Sequence, residues 1–371
     1  METQSLTTTE TELSRPFREW NLKNCDRPVT IAGPCSAETE EQVMETAAAL
    51  KEQGIEIFRA GVWKPRTRPN SFEGVGSEAL KWLQRVQKEL GMKTAVEVAN
   101  VKHVYEALRM GVDILWIGAR TSANPFAVQE IADALTGVDI PVMIKNPINP
   151  DVNLWIGAVE RIQAAGIKKT AAIHRGFSSS DKSHYRNKPE WQIAIEFRQR
   201  MPETPMICDP SHIGGRRDIL KQISQKAMDL NFEGLIIETH RNPDEAWSDA
   251  KQQLTPKALE NLLNNLVVRK TKPDSPALDR LETLRRQIDQ IDNELLIVLQ
   301  ERMQISKAIG EEKKARNITI LQSDRWKELL DKRLGTGNNL ELSDNFISDI
   351  FTAVHRESIN AQSKIMNRKT K

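Results

Sequence analysis

Apolar residues fall into short runs over most of this chain and into one long stripe near its end. From Val29 to about Leu266 a single rhythm repeats: an apolar run closes on a polar or glycine-rich turn, and a stretch of helical period follows. The runs are VTIAG from Val29, IEIFRAG from Ile55, KTAVEV from Lys93, DILWIGA from Asp113, PVMIKN from Pro141, KTAAIHRG from Lys169, PMICDPSH from Pro205 and GLIIETH from Gly234. They are rich in Val, Ile and Ala and barely alternate, as expected of parallel strands buried on both faces. Between them lie amphipathic segments such as SEALKWLQRVQKELG, in which Gly91 predicts a helix C-cap. Eight such units predict a (β/α)8 TIM barrel. A doubly wound open sheet fits less well, because no Gly-x-Gly-x-x-Gly follows the first run and polar residues close all eight.

After Val268 the pattern changes. RKTKPDSPALDR, Arg269 to Arg280, is charged, carries two prolines and reads as a linker. Beyond it Leu281, Leu284, Ile288, Ile291, Leu295 and Leu299 recur at three- and four-residue steps, with no Gly or Pro before Gly310. Two further helices are predicted near Ser323 to Leu334 and Ser343 to Ser363. The chain thus divides into a tail (1–25), a barrel (26–268), a linker (269–280) and a small all-α unit (281–371). That last unit is too thin to bury much by itself and is expected to dimerise.

Composition removes several function classes. The net charge is +2 over 371 residues, and no basic arm or stripe argues for nucleic acid. No apolar run approaches the ~20 residues that span a bilayer. The opening METQSLTTTETELSRPF is polar and lacks the apolar core of a signal peptide. Three cysteines, Cys25, Cys35 and Cys208, are no disulfide framework. The expectation is a cytoplasmic protein with Cys35 a free thiol.

In a TIM barrel the site lies where the strands end. Read there, Arg59, Lys64, Arg66, Arg120, Lys145 and Arg175 form a cationic ring suited to multiply charged anions. Cys35, His212, Glu238 and Asp249 are a second set, of types that together hold a divalent transition metal. The rival reading makes Cys35 a nucleophile with His174 or His212 as its base. Cys208 is expected to pack between strands and helices.

GPCSAE, FRAGVWKPRT, IGAR, KNP, HRG, DPSHIGG and IETHRNPDEAWSDAKQQL, in this order, resemble the 3-deoxy-D-arabino-heptulosonate 7-phosphate (DAHP) synthases, most closely the short-barrel type I beta subfamily. The likeness runs from about Val29 to Val268. It implies condensation of phosphoenolpyruvate with erythrose 4-phosphate and a divalent metal, Mn, Fe, Co or Zn, on Cys35, His212, Glu238 and Asp249. It puts phosphoenolpyruvate on Arg59, Arg120, Lys145 and Arg175, Glu97 near the reacting carbon, and the aldose phosphate on Lys64, Arg66 and Thr67. Lys64, Glu97 and Lys145 are the implied catalytic groups. The sibling KDO 8-phosphate synthases, which use arabinose 5-phosphate, resemble this barrel too but carry a KANR-type segment in place of KPRT.

LETLRRQIDQIDNELLIVLQERMQISKAIGEEK resembles the first helix of the all-helical chorismate mutases, a likeness that extends from about Leu281 to Ile365. It places cationic contacts on Arg285, Arg302, Lys313 and Arg325, and polar ones on Ser358 and Gln362. Arg285 is implied to reach into a partner protomer's site, hence a homodimer. Two positions depart from the pattern: Trp326 where the family often has Glu, and Gln322 where it has Asp. A dimerisation and ligand-sensing module without turnover is the alternative. Feedback control of the barrel is the expected reason for the fusion.

Overall fold

Eight parallel strands close on one another in chain order: β1 (Val29–Gly33), β2 (Ile57–Arg59), β3 (Lys93–Val98), β4 (Ile114–Ile117), β5 (Val142–Lys145), β6 (Thr170–His174), β7 (Met206–Cys208) and β8 (Gly234–Glu238). In this computed structural model the described residues are 17–23, 28–64, 72–179, 184–269, 275–321 and 323–368. Cys25, Arg66, Thr67 and Gln322, singled out in the sequence, lie outside them. The ring closes where β1 pairs with β8, from Val29 opposite Gly234 to Gly33 opposite Glu238.

Helices α1 (Glu40–Glu52), α2 (Glu78–Leu90), α3 (Val101–Arg109), α4 (Ala119–Ser122), α5 (Pro125–Ala134), α6 (Val152–Ala164), α7 (Trp191–Arg200), α8 (Pro210–Gly214), α9 (Leu220–Asp229) and α10 (Pro256–Asn264) complete this part of the chain. Gly91 ends α2 in the left-handed conformation its position predicts, at φ 62°.

Successive strand residues face opposite sides of the wall. Ile31, Ile57, Ala95, Trp116, Met143, Ile173, Ile207 and Ile236 fill the interior, whereas Ala32, Phe58, Val96, Leu115, Ile144, Ala172, Cys208 and Ile237 pack on the helices. Cys208 therefore sits in the outer layer, as expected. Phe17 and Trp20 join the interior cluster, so a short segment ahead of β1, whose role the sequence left open, is part of the barrel's packing.

The chain divides between Thr271 and Lys272 into two compact units. The second holds α11 (Ser275–Ala315), α12 (Ser323–Asn339) and α13 (Asp344–Met366). Helix α11 starts inside the Arg269–Arg280 stretch. Helix α12 outlasts its expected end at Leu334 and runs through Gly335 and Gly337. Glycine disfavours helix by roughly 1 kcal/mol, but a Cβ at Gly337 would come within 2.5 Å of Ile347 on α13. Close packing of α12 on α13 overrides the local preference. The apolar stripe of α11 is exposed: Leu284, Ile288, Ile291 and Leu295 retain 47–61 % of their accessible surface. No described helix is long and apolar enough to cross a membrane.

Candidate active sites

The two-residue alternation that fills the barrel interior also arms its mouth. Two residues beyond interior Ile57, Ala95, Met143, Ile173, Ile207 and Ile236 stand Arg59, Glu97, Lys145, Arg175, Asp209 and Glu238. Apolar side chains occupy the inward positions lower down, and charged ones take over where the strands end.

Cys35 follows β1 and is fully buried. Its N–H donates to Gln253 Oε1 at 2.9 Å, and its sulfur lies 3.4 Å from Asp249 Oδ2. Lys64 Nζ donates both to that sulfur and to the Cys35 carbonyl, each at 2.9 Å. Burial, reinforced by the Glu238 charge, pushes the Cys35 thiol up to about 12. Burial opposes the charge on Lys64, yet Cys35 and Glu238 beside it hold its pKa above the ordinary lysine value.

Glu238 receives Gln252 Nε2 on Oε2 at 2.6 Å and faces Arg59 Nη2 at 3.3 Å. Its Oε1 has no hydrogen-bond partner among the described residues. Burial opposes ionisation of Glu238, but His212, Arg59 and Lys64 lower its pKa. Asp249 is paired with Arg186 at 3.1 Å. Burial works against its charge as well, and Arg186, His212 and Lys64 outweigh it.

One ligand atom from each of Cys35, Glu238 and Asp249 lies within 4.8 Å of the others, the spacing of a candidate metal site. His212 borders this trio without sharing its full compass: Nε2 is 3.7 Å from Glu238 Oε1. Its Nδ1 lies 2.8 Å from Asp209 Oδ2, a second carboxylate that orients the ring and leaves Nε2 toward Glu238. Thiol, imidazole and carboxylates suit a borderline-soft divalent ion. Glu238 Oε1, which among the described residues makes no hydrogen bond and meets only the Arg59 and His212 nitrogens at 3.3 and 3.7 Å, is a donor such an ion could use.

Arg59 is 1 % exposed, and its guanidinium lies 4.9 Å from the Trp116 ring centroid. Its Nε and Nη1 have no partner among the described residues. Lys145 Nζ meets Asp209 at 2.8 Å. Arg175 donates to Asn187 Oδ1 at 2.8 Å, and burial lowers its pKa to about 10. Arg120, on α4, is exposed. Glu97 Oε2 accepts from Trp116 Nε1 at 3.1 Å. A Cβ at Gly118 would run into Glu97 Oε1, so the glycine makes room for that carboxylate.

His174 is removed as a base for Cys35. It is one residue past inward Ile173, so it faces outward and packs against Trp155, Phe177 and Trp191. Burial lowers its pKa to about 3. Arg186, Asn187 and Gln253 were not found from the sequence. Arg186 and Asn187 sit on the irregular β6–α7 connection, where no periodicity marks an inward position. Asp209 was legible at its strand end but had no assigned role.

In the helical unit α11 and α13 bring three of the named residues, Arg302, Ser358 and Gln362, toward one another. Arg302 Nη1 donates to Ser358 Oγ at 2.7 Å, and Gln362 Nε2 to Ser306 Oγ at 3.3 Å. Lys313 Nζ donates to the Ile320 carbonyl at 2.5 Å. Burial, then Arg333, lowers the Arg302 pKa, which reveals Arg333 as a neighbouring cation missed in the sequence. Arg325 is exposed and paired with Glu328 at 2.8 Å. Arg285 stands apart: seventeen residues before Arg302 on one helix, it is roughly 25 Å away at 1.5 Å per residue.

Residues 21–272 match the family model for the DAHP synthetase I family, and residues 284–363 match that for chorismate mutase type II. Phospho-2-dehydro-3-deoxyheptonate aldolase of Thermotoga maritima is 33 % identical over 236 residues, 64 % of this chain and 68 % of the relative. A 2-dehydro-3-deoxyphosphooctonate aldolase of Legionella pneumophila is 26 % identical over 262 residues, 65 % of this chain and 91 % of its own. The crystal structure of the Thermotoga maritima enzyme superposes with a TM-score of 0.58 at 31 % identity, covering 63 % of this chain and 67 % of that one.

Proposed function

The chain belongs to the DAHP synthetase I family and carries a chorismate mutase type II unit, and from that premise we propose which residues perform each reaction. The barrel condenses phosphoenolpyruvate with erythrose 4-phosphate and water to give DAHP and phosphate, and the helical unit rearranges chorismate to prephenate. The observation that carries the barrel assignment is the joint placement of Cys35, Glu238 and Asp249 beside buried Arg59 and Lys145.

Arg59, Arg120, Lys145 and Arg175 hold phosphoenolpyruvate. Arg59 is suited to this, since its Nε and Nη1 are buried donors with no protein acceptor among the described residues. Lys64, Arg66 and Thr67 take the sugar phosphate. Cys35, His212, Glu238 and Asp249 would hold a divalent metal, which would supply Lewis acidity to the aldehyde. Glu97, fixed by Trp116, orients the water that adds to carbon 2 of phosphoenolpyruvate. The cations hold two mutually repelling anions at reacting distance.

The mutase reaction is intramolecular and needs no acid, base or metal from the protein. Arg302, Arg325 and Arg285 bind the two carboxylates in a compact conformer, Lys313 answers charge on the breaking ether oxygen, and Ser358 and Gln362 complete the contacts. Two features support a homodimer: the exposed stripe of α11, and the distance of Arg285 from its own Arg302. The chain acts in the cytoplasm, and its mutase unit lowers synthase activity when its site is filled. Severing the chain near Pro273 should leave a synthase that prephenate and chorismate no longer inhibit. Full-length protein that ignores both ligands at saturation would remove the feedback reading.

The deciding experiment follows loss of phosphoenolpyruvate with four- and five-carbon aldose phosphates, with and without chelator. Activity with erythrose 4-phosphate, abolished by chelator and restored by Mn, Fe, Co or Zn, is expected. Preference for arabinose 5-phosphate would move the barrel to the octulosonate reaction named for the Legionella pneumophila relative.

A further inference from the structure

Chorismate presents two carboxylates, an ether oxygen and one ring hydroxyl. The cations of the helical unit answer the first three. The hydroxyl offers one O–H donor and two acceptor lone pairs, which the named cations do not answer. The reading below rests on the mutase assignment and asks which side chain meets this group.

Ser358 lies on α13, and three residues before it, on the same helical face, is His355. The Ser358 hydroxyl is engaged: it receives Arg302 at 2.7 Å and donates to the Val354 carbonyl at 2.9 Å. His355 has no hydrogen bond to the described residues, but its ring is not loose. It stacks on Trp326, with centroids 3.9 Å apart and planes 18° from parallel. A stacked imidazole keeps its edge nitrogens for other partners. Trp326 directly follows Arg325, so the stack ties the start of α12 to the face of α13 that carries Ser358. Partial burial, then the Arg302 and Lys313 charges, lower the His355 pKa.

We propose that His355 hydrogen-bonds the ring hydroxyl of chorismate, and that Trp326 positions the imidazole for it.

The test uses the full chain with chorismate and with an analogue lacking the ring hydroxyl. His355→Ala should lower kcat/KM on chorismate about three- to tenfold, the effect of one lost neutral hydrogen bond. On the analogue the altered and unaltered proteins should perform alike. His355→Gln, which restores an uncharged donor and acceptor, should recover much of the loss. Trp326→Phe should retain activity, and Trp326→Ala should reproduce the chorismate-specific defect. Unchanged synthase activity and melting temperature check that each variant folds. If the unaltered chain binds chorismate without converting it, the mutase reading fails separately, and the same comparison is read from dissociation constants. Equal losses on both ligands, or no loss on chorismate, overturn the proposal.

Discussion

Lys64 Nζ and Cys35 Sγ are 2.9 Å apart. An ammonium this close to the sulfur disfavours a second positive charge beside it. Lys64→Met should therefore tighten metal binding while lowering kcat/KM for erythrose 4-phosphate by about ten- to a hundredfold, the worth of a charge-assisted contact. Metal titration and initial rates measure the two effects. Weaker metal binding in the variant would show that Lys64 helps to build the metal site.

Cys35→Ser keeps a side chain of similar size and replaces the sulfur ligand with a poorer one. The variant should lose metal and nearly all condensation activity. Mutase activity should persist, because that chemistry uses Arg302, Lys313 and Ser358. Metal content by elemental analysis and the two assays decide. Full metal-dependent condensation by the serine variant contradicts the ligand assignment.

Gly118→Ala inserts a methyl group into the space used by Glu97 Oε1. Glu97 would have to leave Trp116 Nε1, to which it is bonded at 3.1 Å. The expected result is a fall in synthase kcat of at least about tenfold, one hydrogen bond's worth of misplacement, with mutase activity unchanged. Wild-type kcat would show that the exact seat of Glu97 is unimportant.

His174 predicts an acid limit to barrel stability. Its folded pKa is about 3, against about 6.5 when unfolded. Between these values the unfolded chain holds a proton that the folded chain does not. Stability therefore falls as pH drops below about 6.5, by up to about 1.4 kcal/mol per unit for this one group. His174→Phe, an aromatic for an aromatic cage, should flatten chemical denaturation midpoints between pH 4 and 6. An unaltered slope in the variant would assign the acid sensitivity to other groups.

Ile291 is 61 % exposed in the α11 stripe. Placing a charge there should split the proposed dimer. Ile291→Glu is expected to elute at a smaller size and to lose mutase activity at micromolar concentration, since Arg285 would no longer reach a partner's site. A variant that keeps the parent's size would place the interface elsewhere.

Most of the barrel was legible because its strands are buried on both faces, which forces short apolar runs rich in Val, Ile and Ala, repeated eight times between stretches of helical period. Lys145, Arg59 and Glu238 were legible for the same reason: each is the polar residue that closes such a run. Alternation also separates His174 from the mouth, a distinction that needs the strand's interior parity as well as its end. His212 and Arg186 obey no such rule. His212 is turned by α8, whose cap Asp209 accepts its N–H at 3.1 Å. Arg186 is aimed by contacts with Asp249 and Gln252 that are distant in sequence. The extra turn of α12 was hidden because packing against Ile347 decides it.

The inward row of Arg59, Glu97, Lys145, Asp209 and Glu238 has a consequence for how this protein can vary. One residue inserted in or deleted from β5 would put Ile144 or Asn146 where Lys145 stands, and every later residue of that strand would trade sides. The walls therefore tolerate substitution but not changes of length. The connections after the strands carry no parity, so they can change length wherever they leave Cys35, Lys64, Arg186, His212 and Asp249 in place. Relatives that accept a different aldose should differ in those connections while holding the spacing from each interior residue to its charged successor.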